Sequence, residues 1–584
     1  MAESKKSSKI LTQWPWLSGY SGSVFTDDFI AAIIVTVLVV PQCLAYALLA
    51  GLPPVVGIYA SVFPMVAYAL FGSSQHLQVG PTAVISLMTA AAIAVLPEGT
   101  RIAGAAILAL LTGVMVMVMG LLRGGFVMNF VSRSVVTAYI TGAAFLIIIS
   151  QIKHILGIQA DGTTALEIIS NLTKDLSNIN PVTILVGAIC FLYFWAANKY
   201  FAFIFFKLGM KSKWARLLAR LSPILAIIGS IAVTYFLGLS QKHGLNIVGE
   251  IPKGLPLLTF PPMSLELVKL LWLPALILGT VAFVDGMSTA QTLAARTRSR
   301  IDADRELLGL GASNFIAGLS GGYPVNGSMS RSTVGYSAGG KTPVVSLLTA
   351  LLLALAAMFL TPYLKYLPKS TLAALIMVAC FSLFDFKSMW QTFKYSRGDG
   401  VTALATFLSV LVFGVQWGVL IGVILAMTLH IQKTLRPNVA LVGRFAGTEH
   451  YRDASRFNVE TFDEVKTLRI DESLYYANAR YLEDKVARIV RESPRMTDLI
   501  LMCAAVNRID ASAVASLETI NNRLKSANIR LHFSELHTTV KDRLNRSDLV
   551  NNLTGQIFFT QQEAMEELEP DPDWSQFSDH VDIH

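Results

Sequence analysis

Long apolar runs, separated by short polar stretches, fill the first three quarters of the chain. A helix needs about 20 apolar residues to cross roughly 30 Å of hydrocarbon. Fourteen segments reach or approach that length, near 29–50, 53–72, 80–96, 103–122, 129–151, 181–198, 217–238, 268–292, 306–320, 327–340, 344–364, 369–384, 401–415 and 416–434. The pattern predicts a polytopic α-helical membrane protein. If the chain starts in the cytoplasm, loops after even-numbered spans are cytoplasmic and basic. Lys207, Lys211, Lys213 and Arg216 follow the sixth span, and Arg296, Arg298, Arg300 and Arg305 follow the eighth. Lys387, Lys394 and Arg397 follow the twelfth, and Lys433 and Arg436 the last. Residues 1–26, polar and carrying Lys5, Lys6 and Lys9, read as a retained cytoplasmic arm, not a signal peptide.

After Pro437 the pattern changes to alternating short elements. Val465–Tyr475, Thr497–Val506, Ile529–Phe533 and Gln556–Thr560 read as strands. Ala477–Glu492, Ala511–Ser526, His537–Leu553 and Gln561–Leu568 read as helices. The chain therefore divides into the arm (1–26), a transmembrane domain (27–436), a small cytoplasmic α/β domain (437–568) and an acidic tail (569–584).

Composition narrows the classes. Of 584 residues, 53% are hydrophobic and 15% charged, where a soluble chain carries about 25% charged residues; mean hydropathy is +0.54. The net charge of +8 hides an asymmetry. Residues 438–584 hold 17 basic and 24 acidic side chains, a net of −7, so the remainder carries +15. That excess lies largely in loops that fix topology, so the pI near 9.1 does not indicate nucleic-acid binding. Cys43, Cys190, Cys380 and Cys503 are too scattered for a disulfide framework or metal cluster. The run Gly335 to Thr342 spells GxxxxGK[ST], but no strand precedes it and Pro343 follows, so it reads as a turn between spans. No constellation supports an enzyme.

Two spans are poor membrane helices. The third follows Gly80-Pro81, and the tenth lies in a Gly- and hydroxyl-rich run, Gly321 to Gly335, that contains Arg331. They are seven spans apart, and matching broken segments in two halves point to a transporter's midplane binding site. Half-helices meeting there present free backbone N–H groups and a partial positive charge, an anion site to which Thr82, Ser328 and Ser330 add hydroxyls. The alternative is a re-entrant loop whose arginine snorkels. Asp285 reads as the only acid well inside an apolar span, with Thr289 one turn on. The pair suits a sodium site or, with the carboxyl alone, proton exchange; a structural ion pair with Arg331 is the alternative.

The run Pro41 to Pro54, then Gly57-Ile-Tyr59 and Gly80-Pro81, resembles the signature of the SulP anion transporters. Arg123–Ser132, Gly249–Pro256 and Gly327–Ser332 match as well, and the C-terminal part resembles a STAS domain. The family includes sulfate permeases and cyanobacterial bicarbonate transporters. The resemblance implies fourteen helices in two inverted seven-helix repeats, the fold of nucleobase permeases, a homodimer, and an elevator motion. It implies a substrate site lined by Gln42 and Tyr46 of a broken first helix, Thr82 and Ala83 of the third, and Ser328, Met329, Ser330 and Arg331 of the tenth. Many members carry Glu where Asp285 stands, linked to proton coupling; a sodium-coupled bicarbonate branch has Asp with Thr one turn on. In the STAS part, Ala511 replaces the regulators' phosphorylated serine after Asp510. That favours partner binding, dimerisation or trafficking over a phosphorylation switch.

The reading is therefore a secondary anion transporter of the cell membrane, with its N-terminus and STAS domain cytoplasmic. Sulfate with proton or sodium symport comes first, bicarbonate or a dicarboxylate next. A sensor or scaffold acting through the STAS domain would leave Arg331 and Asp285 unexplained.

Overall fold

The computed structural model describes residue 16 and residues 20–126, 132–160, 162–210, 215, 218–219, 222–249, 254–255, 258–359, 364–381, 383–445 and 448–569. Most of the N-terminal arm, most of the motif at 249–256 and all but the first residue of the acidic tail lie outside them. The chain forms two compact units, Met1–Ala426 and Met427–His584.

A helix lies at each of the fourteen apolar segments: α1 (Gly22–Leu49), α2 (Pro54–Phe71), α3 (Ala83–Ile93), α4 (Arg101–Leu121), α5 (Arg133–Leu156), α6 (Pro181–Ala196), α7 (Pro223–Leu237), α8 (Leu265–Thr297), α9 (Ala303–Leu319), α10 (Met329–Ala338), α11 (Val344–Phe359), α12 (Lys369–Phe381), α13 (Arg397–Phe413) and α14 (Val415–Leu435). Among the described residues, eight helical segments are long and apolar enough to cross a membrane, by length and composition. The third and tenth are half-length, 11 and 10 residues. The broken first helix implied by the resemblance is instead continuous. Pro41 removes one backbone hydrogen bond from the middle of α1, beside Gln42, without ending it.

Helix packing sorts the membrane unit into two groups. One holds α1–α4 and α8–α11; the other holds α5–α7 and α12–α14. Exchanging each helix for the one seven further on maps the principal contacts onto one another. Thus α2–α11 answers α4–α9, α1–α11 answers α4–α8, α5–α13 answers α6–α12, and α1–α10 answers α3–α8. This is the inverted repeat, expressed in packing where sequence similarity is too weak to show it. Small residues permit the closest approaches. A Cβ on Gly113 of α4 would strike the Phe315 backbone of α9, and one on Gly318 would strike the Ala106 carbonyl.

The C-terminal unit is a six-stranded mixed sheet with order β4-β3-β5-β6-β7-β8. Its strands are β3 (Val439–Arg444), β4 (Tyr451–Asp453), β5 (Val465–Ile470), β6 (Asp498–Met502), β7 (Arg530–Ser534) and β8 (Ile557–Phe558). Strands β5 to β8 run parallel, and β3 is antiparallel to both its neighbours. The sequence reading misses β3 and β4, extends β5 and β6 too far, and continues the helix from His537 to Leu553 where the structure ends it at Leu544. Both helices flanking the Asp510 loop, Ala479–Glu492 and Ala511–Ser526, pack on the sheet, burying Leu482, Val486, Leu517 and Leu524 against Leu499, Leu501 and Leu531. Asp510 caps the second, accepting from the Ala513 amide at 2.8 Å.

One buried polar cluster pins β6 to β7. Asp498 accepts from His532 Nε2 at 2.8 Å, from Arg530 Nη2 at 3.0 Å and from Thr497 Oγ1 at 2.8 Å. His532 Nδ1 in turn accepts the Gln556 amide at 3.0 Å. Burial alone would push the Asp498 carboxyl up, but the bonds from His532, Arg530 and Thr497, with the Arg530 charge, outweigh it and hold it at about 2, against an ordinary 3.8. Ionised Asp498 therefore stabilises the domain above roughly pH 4, by about 2 kcal/mol, and that contribution is lost as pH falls toward 2. Scanning calorimetry is expected to show the domain's melting temperature dropping across that window. Asp498→Asn should be less stable at neutral pH and show a shallower drop.

Candidate functional site

The chain leaves helical structure twice at mid-unit, and the two breaks meet. Just before α3, Val79–Gly80 forms β1; just before α10, Asn326–Gly327 forms β2. They pair antiparallel, Val79 with Gly327 and Gly80 with Asn326. Further bonds extend the join: the Ser328 amide donates to the Gln78 carbonyl at 2.9 Å, and the Gln78 amide to Ser332 Oγ at 2.8 Å. Because the ladder is so short, the first turns of α3 and α10 start side by side. Each start leaves N–H groups without an intrahelical acceptor and a partial positive charge.

Arg331, in the first turn of α10, is fully buried. Its Nη2 donates to the Pro81 carbonyl at 2.9 Å, tying α10 to the start of α3. Among the described residues its Nε and Nη1 have no partner. Other buried atoms without partners there include Gln42 Oε1 on α1, Gln78 Oε1, Thr82 Oγ1 at the N-cap of α3, and Asn326 Oδ1. Buried polar groups are nearly always hydrogen-bonded, so the two spare guanidinium nitrogens of Arg331 are donors available to a ligand. Ser328 Oγ caps α10, accepting the Arg331 amide at 3.4 Å. Ala83 is buried and Tyr46 half-buried, whereas Met329 and Ser330 are exposed. The structure thus brings Thr82, Ala83, Ser328 and Arg331 together at the paired helix starts.

Asp285, on α8, is half-buried and accepts from Asn326 Nδ2 at 2.8 Å. Its Oδ1 has no protein donor among the described residues, and Thr289 is buried one turn on. Among the described residues Arg331 makes no ion pair with Asp285, so the ion-pair alternative fails. Asn326 is the link that sequence reading missed. Its backbone pairs with Gly80 beneath the Arg331 guanidinium while its side chain holds Asp285; nothing in a lone Asn before a Gly announces that.

Asp285 is also not the only acid within a span. Asp28 on α1 and Glu306 on α9 are fully buried. Asp28 accepts from the Lys341 amide at 2.7 Å and Thr342 Oγ1 at 2.6 Å. Glu306 accepts from Tyr68 Oη at 2.7 Å and Ser73 Oγ at 2.6 Å. Hydropathy places both at span ends, where an acid looks solvated. The turn at Lys341–Thr342 is thereby a lock on α1, with Lys341 also paired to Asp27 at 2.7 Å.

The chain matches the sulfate permease family over residues 25–406 and the STAS domain over residues 456–564. It is 32% identical over 561 residues to a chloroplastic sulfate transporter, 4.1, of Arabidopsis thaliana, covering 93% of this chain and 80% of that one. The structure of SLC26A9 superposes with a TM-score of 0.87 at 22% identity, covering 98% of this chain and 95% of that one. The transmembrane domain of a cyanobacterial bicarbonate transporter, BicA, gives 0.58 at 22% identity over 70% of this chain and 98% of that one. These two likenesses establish the shared fold.

The contact between Gly80 and Arg331 gives a test. A Cβ on Gly80 would lie 2.8 Å from Arg331 Nη1, so Gly80→Ala must displace the guanidinium from its present position. Affinity for a small anion, read by calorimetry, should fall on the order of tenfold or more, as for one charged hydrogen bond misplaced. Gly80 also has φ +157°, which L side chains rarely adopt, so the melting temperature should fall as well.

Proposed function

The chain belongs to the sulfate permease family, and on that premise we propose that it carries sulfate across the cell membrane by secondary active transport, in symport with a proton or sodium ion. The observation that carries this reading is the pair of unpartnered guanidinium nitrogens of Arg331 at the junction of two half-helix starts. Positive dipole ends, Thr82 Oγ1 and a buried cation offer donors at the paired helix starts, and an oxyanion has acceptors on every side. The tenth helix carries Arg331 where a permease for neutral bases would want an acid. Sulfate is favoured over other oxyanions by the chloroplastic relative's name and identity.

Asp285 and Thr289 supply the cation side. An anion entering alone meets the negative charge of Asp285 across a single strand pair; a sodium ion or proton on Asp285 removes that repulsion. Each ion then favours the other's binding, a coupling free energy in the strict sense. The two helix groups suit an elevator motion in which α1–α4 and α8–α11 carry the site past α5–α7 and α12–α14. We place the N-terminus and STAS domain in the cytoplasm from the basic loops, and the functional unit as a homodimer. Bicarbonate is the second reading, favoured by the Asp285–Thr289 pair.

Uptake of labelled sulfate, bicarbonate and succinate into proteoliposomes, under imposed sodium or proton gradients, tests the scheme. Arg331→Ala should raise the apparent KM for the transported anion on the order of a hundredfold, the loss expected for charged hydrogen bonds. Asp285→Asn should still exchange anion but no longer accumulate it against a gradient. Accumulation that survives Asp285→Asn would sink the coupling scheme.

A further inference from the structure

The helix Phe386–Tyr395, between α12 and α13, has no buried residue. Trp390 is 62% exposed and Tyr395 95% exposed, with Phe386 and Phe393 also exposed. Trp390 stacks on Phe393 with centroids 6.3 Å apart, and Lys394 Nζ lies 5.9 Å from the Trp390 ring. The same motif recurs at the far end of the α6 segment, which runs on through Ala197–Phe201 to Lys207. There Lys199 Nζ sits 5.0 Å from the Trp195 ring and 5.2 Å from that of Tyr200. Both elements follow even-numbered spans, so topology puts them on the same side of the membrane. Neither contains an acidic residue; together they carry Lys199, Lys207, Lys387 and Lys394.

A ten-residue helix with exposed aromatics and lysines, adjoining membrane spans, fits the boundary between headgroups and acyl chains. Its charge selects the lipid, since basic residues are attracted to an anionic leaflet. We propose that Phe386–Tyr395 and the end of the α6 segment form a docking surface for anionic lipid headgroups, through which lipid composition acts on the α5–α7/α12–α14 group. The path inward is a chain of rings. Phe386 contacts Phe384 at 5.5 Å and Phe407 of α13 at 5.9 Å, Phe384 contacts Phe381 of α12 at 5.8 Å, and Phe381 contacts Phe191 of α6 at 6.1 Å. Lipid that fixes the surface helix therefore also fixes three helices of that group.

The four native cysteines are buried, so Tyr395→Cys in the full chain offers a selective site for an environment-sensitive fluorophore. The labelled protein is reconstituted in phosphatidylcholine vesicles with and without phosphatidylglycerol. The expected result is blue-shifted emission and protection from an aqueous quencher in the anionic vesicles, reversed by high salt. Lys387→Glu with Lys394→Glu should abolish the difference, because each basic residue near such a surface contributes roughly fivefold in partition. Equal quenching in both vesicles, or protection retained by the double variant, overturns the proposal. This readout needs no transport, so its failure is separate from failure of the sulfate reading. Uptake by the unlabelled parent should be severalfold faster with phosphatidylglycerol and composition-independent in the double variant; a composition effect that persists in the double variant counts against this surface as its source.

Discussion

A backbone that leaves helical form inside hydrocarbon must find partners for every N–H and C=O it frees, because water is not there to supply them. In this fold two such breaks satisfy each other. Gly80 and Asn326 face across a ladder two residues long, and Gln78, Ser328 and Ser332 complete it. The rest of the site depends on that solution. It sets the starts of α3 and α10 together, gives Arg331 a carbonyl to hold, and delivers the Asn326 amide to Asp285. Neither half-helix could expose its N-terminus at this depth without the other.

The same hydrogen-bond accounting sets three acids apart from Asp285. Asp28, Asp304 and Glu306 each accept a backbone N–H from a distant segment: Lys341, Gly125 and Ser73 respectively. All three ties lie within the group of α1–α4 and α8–α11, and together they weld its loops into one body. Their carboxylates are occupied. Asp285 differs in having a single protein donor and an oxygen left over. A half-buried carboxylate with spare acceptor capacity can take a cation.

Legibility in the sequence followed the reach of the interactions. Fourteen apolar segments were readable because a span's requirement is local, a length and a composition. The breaks at Gly80-Pro81 and in the Gly/Ser run were readable for the same reason, since those residues cannot continue an apolar helix. Asn326 was not, because its role exists only once β1 lies beside β2. Asp28 and Glu306 were missed because hydropathy windows end where polar residues begin, while their donors come from Thr342 and Tyr68, far along the chain. Strands β3 and β4 were missed because they take their pairing from other segments of the chain, β3 with β5 and β4 with β3. Arg331 and Asp285 stood out, yet only the structure shows that they are held apart by a strand pair and do not neutralise each other.

That separation bears on what the site can carry. Each half-helix start contributes about half a positive charge, and Arg331 adds one more, so the anion side presents roughly two positive charges to an occupant. A dianion such as sulfate balances them; a monovalent anion leaves one over. On the other side of the strand pair, Asp285 presents one negative charge, which one monovalent cation balances. Moving net charge through a low-dielectric interior is costly, and the cost grows steeply with the charge. On the proposed scheme a dianion with one cation is a near-neutral load, as is a monovalent anion with no cation, and both suit crossing. A site holding the dianion alone retains the charge of Asp285, and one holding the cation alone retains that of Arg331 and the helix ends. On the proposed scheme, coupling needs no moving latch between the two ions. It follows from placing one arginine and one aspartate on opposite sides of a two-residue ladder.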